Sequence, residues 1–152
     1  MPSYVVVRKA SINATPDRVH ELINNFHHWA SWSPWEDLDP GMTKKFTGPE
    51  HGVGATYSWS GNKKAGVGSM KVISSTPEQI RIDLQFVKPM KSRTDTLFGI
   101  QSSGHGTEVS WTMSGEQKGL WGLIGRFYPM DRIVGKDFEK GLTRLKAVAE
   151  SG

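Results

Sequence analysis

Between Ala55 and Met113 apolar and polar residues alternate in successive short runs, and turn-forming residues separate the runs. One face collects Ala55, Tyr57 and Trp59; then Gly68, Met70 and Val72; then Ile80, Ile82, Leu84 and Phe86; then Thr94, Thr96, Phe98 and Ile100; and last Thr107, Val109, Trp111 and Met113. A period of two is that of a strand with one buried side. The separators Gly61-Asn62-Lys63-Lys64, Thr76-Pro77-Glu78 and Gly104-His105-Gly106 are short enough to be hairpin turns, which makes neighbouring strands antiparallel. A sheet of this kind has one apolar face and needs a cover.

The cover lies downstream. Over residues 131–150, Val134, Phe138, Gly141, Leu142, Leu145 and Ala149 fall on one side of a helix, and Arg132, Lys136, Lys140 and Arg144 run down the other. Upstream, Tyr4 to Ile12 is Val-rich and predicts a first strand. Thr15-Pro16 is a helix start, and Val19, Leu22, Ile23 and Phe26 follow at helical spacing. A second short helix is expected from His27, ended near Ser33-Pro34. Met42 to Thr47 reads as a short strand and residues 48–54 as a glycine-rich turn. The expectation is an α+β chain, with residues 1–152 as one domain. A curved antiparallel sheet of six or seven strands surrounds a long C-terminal helix, with two short helices after the first strand.

Composition narrows the function. The chain has no cysteine, which removes disulfides, thiolate nucleophiles and Cys-ligated metals. Its five histidines form no helical ligand pair, and neither a nucleophile elbow nor a phosphate-binding glycine loop is present, so no metal or cofactor is expected. The net charge of +4 is spread over turns and one solvated helix stripe, which argues against nucleic acid as a partner. The apolar run at the start is too short for a signal sequence, and stable membrane insertion is not expected. Together these features suggest a cytoplasmic protein, monomeric or homodimeric.

Three stretches carry a family resemblance: Trp32-Ser33-Pro34-Trp35 with Leu38-Asp39-Pro40; Thr47-Gly48-Pro49, Gly52-Val53-Gly54 and Tyr57 to Lys64, ending at Gly68-Ser69-Met70; and Asp137 to Leu142 with Leu145-Lys146. With the order of elements, they resemble the START-like helix-grip superfamily called SRPBCC, in its polyketide cyclase/dehydrase-like branch. The resemblance implies a hydrophobic cavity between sheet and helix.

The side chains expected to line such a cavity are Trp35, Tyr57, Trp59, Met70, Phe86, Phe98, Trp111, Met113 and Phe138. Aromatic and methionine side chains suit a flat or flexible apolar molecule. Trp29 and Trp32 are expected near the mouth beside Trp35. Asn62, Arg93, Asp95 and Glu108 are the polar residues within reach in sequence, although alternation turns the last three outward. Three functions fit. The first is binding or transport of a small hydrophobic molecule, lipid-like, aromatic or polyketide-like. The second is a cyclase or dehydratase acting in the same cavity, which would require an ionisable pair inside it. The third is a protein-partner module that uses the sheet's outer face.

Overall fold

The computed structural model describes residues 3–33, 41–61, 66–88, 92–104, 106–116 and 130–151, and their side chains apart from those of residues 3, 4, 88, 92, 116 and 130–134. Strand β1 (Ser3–Ile12) runs into helix α1 (Pro16–Asn24). The helix starts because extended Thr15 accepts a hydrogen bond from the Arg18 amide at 3.3 Å, while Pro16 occupies a first-turn position that needs no donor. Val19, Leu22 and Ile23 are its buried face. Asn25 ends α1 and starts a 3-10 helix, Phe26–Ser31, by accepting from the His27 amide at 2.9 Å. The second short helix therefore begins one residue earlier than the sequence suggests.

Six strands follow: β2 (Thr43–Thr47), β3 (Thr56–Ser60), β4 (Val67–Thr76), β5 (Gln79–Lys88), β6 (Ser92–Ser103) and β7 (Gly106–Glu116). Helix α2 (Met130–Ser151) comes last. The sheet has seven strands in the order β1-β7-β6-β5-β4-β3-β2, and every neighbouring pair is antiparallel. The hairpin series expected from alternation is thus a meander, and β1 joins its far edge by pairing with β7. Before β3, Gly48 has φ 76° and sits so close to the Gly54 carbonyl that a Cβ would come within 2.6 Å of that oxygen.

Register places the inner side chains in rows across the sheet. Val6, Met113, Thr96, Ile82 and Val72 make one row, and Arg8, Trp111, Phe98 and Ile80 the next. A bulge between Val72 and Ser74 inserts Ile73 as an extra residue, so Ser75 rather than Ser74 faces inward opposite Ile80. Helix α2 packs on the inner face through Phe138, Gly141, Leu142, Leu145 and Ala149, all buried. The Val134 and Arg132 side chains lie outside the described set. At Gly135 the Arg8 side chain of β1 lies against α2: a Cβ there would run into the guanidinium, whose Nε lies 3.4 Å from Glu139. The end of α2 is tied back to the start of the chain. The Asn13 amide donates to Glu150 at 2.7 Å, and Lys146 donates to the Ser11 carbonyl at 3.0 Å.

Candidate inner-face binding site

The expected lining residues fall into two groups. The deeper group is Phe98, Trp111 and Phe138. The Trp111 and Phe138 rings stack with centroids 4.1 Å apart, and Phe98 lies 4.9 Å from Trp111. Trp29 and Trp32 close over them with edge-to-face contacts of 5.7–6.4 Å. All five are fully buried. The outer group is Tyr57, Trp59, Met70 and Phe86. Trp59 lies 6.0 Å from Tyr57 and 5.6 Å edge-on to Phe86, and both Trp59 and Phe86 are only half-buried. Phe26 bridges the groups, 5.4 Å from Trp29 and 6.0 Å from Tyr57. Met113 stands in the row between them, beside Thr96. Trp35 and Asn62 lie outside the described residues.

Gly68 makes the outer group possible. It sits opposite Trp59 on the neighbouring strand, and the indole lies across it. A Cβ at Gly68 would come within 2.7 Å of the Trp59 ring and 2.5 Å of the Gln85 carbonyl.

Trp29 and Trp32 do not stand at a mouth. Their indole N–H groups donate to the carbonyls of Ile23 at 2.8 Å and Leu22 at 3.0 Å. These carbonyls belong to the last turn of α1, where the helix itself offers no donors, and the two tryptophans supply them from inside the core. Phe46, which the sequence reading passed over, joins the outer group instead. It stacks on His27 at 4.0 Å and meets Tyr57 edge-on at 5.2 Å. β2 has no alternating pattern, so only its register opposite Tyr57 reveals this.

Arg8 brings a charge to the inner face at its β1 edge, where it pairs with Glu139 of α2, and further ion pairs lie on the other side of the sheet. Asp83 receives two hydrogen bonds from the Arg93 guanidinium, at 2.9 and 2.8 Å, and Arg81 pairs with Asp95 at 3.7 Å. Lys9 and Glu108 stand 3.9 Å apart. As alternation indicated, Arg93, Asp95 and Glu108 face outward. The hydrogen bond from Arg93 holds the Asp83 carboxyl below its ordinary pKa against the opposing effect of burial, and the Arg93 pKa is raised in turn. A groove of about 390 Å³, lined by Lys9, Gln101, Ser102, Glu108 and Ser110 among others, lies on this outer face.

The inner face carries hydroxyls in place of charges along β6 and β7. Thr94, Thr96 and Thr107 are all buried. Thr107 donates to the Ala14 carbonyl at 2.7 Å. At the β4 end, the bulge brings Ser75 to α1, where its hydroxyl donates to Asn24 Oδ1 at 2.8 Å and lies 3.3 Å from His20 Nε2. The single hydroxyl proton goes to the amide oxygen, so the imidazole meets a lone pair. This contact ties α1 to β4. Among the described residues no group of three or more His, Cys, Asp and Glu side chains is placed to hold a metal ion.

The sheet, the helix across it and the apolar inner face define a helix-grip protein of the START-like SRPBCC superfamily. Comparison with known proteins agrees. The profile of the family described as polyketide cyclase/dehydrase and lipid transport matches residues 4–150, and the chain belongs to that family. Solved structures with this fold include an uncharacterised protein from Rhizobium leguminosarum, with a TM-score of 0.71 and 14% identity over 99% of this chain and 96% of that one. A protein from Chromobacterium violaceum gives 0.69 and 16% over 96% of both chains. Major latex-like protein 151 from Panax ginseng gives 0.69 and 12% over 98% of this chain and 99% of that one. At such identities the likeness concerns the fold. No curated protein matches the chain. Among the described residues no helix is long and apolar enough to cross a membrane.

Proposed function

We propose that the protein binds a small hydrophobic molecule, lipid-like, aromatic or polyketide-like, against the inner face of the sheet. The observation that carries this reading is the contrast between the two aromatic groups. Phe98, Trp111 and Phe138 are saturated by their own packing, whereas Trp59 and Phe86 keep part of their surface uncovered on the same apolar face. The deep group serves as the closed end of the site. Tyr57, Trp59, Met70, Phe86 and Met113 are the contact surface. The pKa-shifted carboxylates Asp83 and Glu150 belong to ion pairs outside the inner aromatic face, which favours a carrier over a proton-transferring enzyme.

The test is a titration with a fatty acid and with a polycyclic aromatic, followed by tryptophan fluorescence and calorimetry. Burial of apolar surface is worth about 25 cal/mol per Å² before association costs, so a dissociation constant of about 1 μM or lower is expected. Trp59→Phe should shrink the fluorescence response, and Trp29→Phe should leave the ligand-induced change intact. Absence of both heat and fluorescence change across the panel would refute the proposal. Conversion of a probe to product would replace the carrier with an enzyme.

A further inference from the structure

Thr96 is 3% exposed, and its Oγ1 has no hydrogen-bond partner among the described residues. Its side chain points to the inner face, in register with Ile82 on β5 and Met113 on β7. It lies one row from Trp111 and Phe98 towards the half-buried aromatic group, where the closed end of the proposed site meets its contact surface. Thr107, three rows away on the same face, shows how such a hydroxyl is normally satisfied, by a backbone carbonyl at 2.7 Å. A buried hydroxyl without a partner is a net cost to the fold, and valine would fill the same space without it.

We infer that Thr96 is the polar anchor of the binding site, and that the bound molecule carries a neutral oxygen, a hydroxyl, phenol or ketone, which meets Oγ1 at the inner end of an otherwise apolar body. This deepens the ligand-binding reading and rests on it. The oxygen is neutral because the sheet neighbours of Thr96 are neutral, Ile82 and Met113 across the sheet and Thr94 and Phe98 along the strand, and Arg8, in the next row on β1, is already paired with Glu139. A carboxylate there would be buried without a counter-charge. The threonine hydroxyl can donate to a ketone or accept from a phenol, so either serves.

The experiment uses the whole protein with naphthalene, 2-naphthol and 2-naphthoate as calorimetric probes, in wild type, Thr96→Val and Thr96→Ser, with Thr107→Val as a control for folding. Wild type should bind 2-naphthol about five- to tenfold more tightly than naphthalene, the worth of one buried hydrogen bond, and 2-naphthoate weakest. Thr96→Val should bind naphthalene as wild type does and lose the preference; Thr96→Ser should keep it. Without ligand, Thr96→Val should melt at or above the wild-type temperature, and Thr107→Val below it. A Thr96→Val protein that retains the naphthol preference, or that melts as far below wild type as Thr107→Val, overturns the inference. If naphthalene binds but 2-naphthol is not preferred, the anchor fails and the apolar site stands. If neither arene binds, both fail.

Discussion

The ring of Phe138 lies flat on the indole of Trp111, with centroids 4.1 Å apart and planes 5° from parallel. This contact joins the terminal helix to strand β7, and both residues are fully buried. Phe138→Ala should therefore cost about 3–5 kcal/mol of stability, and Phe138→Leu clearly less. Urea denaturation of the two variants measures both. A loss under about 1 kcal/mol for the alanine variant would mean that the helix does not depend on this contact.

Gly68 and Trp59 give a second expectation. With a methyl group at residue 68, the indole must leave the strand it covers, because the Gln85 carbonyl on the other side is backbone and cannot yield. Gly68→Ala should destabilise by about 1–3 kcal/mol and shift the Trp59 emission. In a Trp59→Phe background the cost should fall, since the smaller ring leaves room, and equal costs in the two backgrounds would contradict this account.

The indole donors at the end of α1 can be removed singly. Trp29→Phe leaves the Ile23 carbonyl without its donor, and Trp32→Phe does the same to Leu22. Each should cost about 1–3 kcal/mol, and amide exchange in α1 should quicken. Exchange that is unchanged in both variants would show that these bonds do not hold the helix end.

Asp83 sets a pH dependence. Its folded-state pKa lies below the ordinary 3.8, chiefly through the hydrogen bond from Arg93. The stability it contributes is therefore complete above the unfolded value and is lost as pH falls through the folded one. The raised Arg93 pKa opens no window in the acid range. The stability difference between wild type and Asp83→Asn should be larger at pH 6 than at pH 3. A difference that does not vary with pH would assign the pair no electrostatic role.

Legibility followed the range of the interaction. Ile80 to Phe86 and Phe138 to Ala149 announce their buried faces through local periodicity, and the structure keeps those faces. The pairing of β1 with β7 leaves no local trace. The bulge at Ile73 resets the phase of β4, and the alternation of Gly68, Met70 and Val72 gave no warning of it. Trp29 and Trp32 look like amphipathic mouth residues until the free carbonyls of α1 are placed beside them. Phe46 gains its role from strand register. Thr96 reads as one more inward position in sequence, and only its neighbours show that the hydroxyl lacks a partner among the described residues.

The register of β1 sets an order of assembly. It aligns residue 12 with residue 107, whereas each hairpin from β3 to β7 joins segments adjacent in the chain. Loop closure favours the near contacts first, so the meander can form while β1 is still without its partner strand. β1 can pair only once β7 exists, and α2, which stacks on β7 through Phe138 and reaches β1 through Glu139, is the last element of the chain to be made. Until then the inner aromatic face lacks its lid. A hydrophobic ligand present during synthesis would meet an open groove, and one added afterwards must enter a finished fold. Loading rates during refolding and after it should therefore differ even where the final affinity is the same.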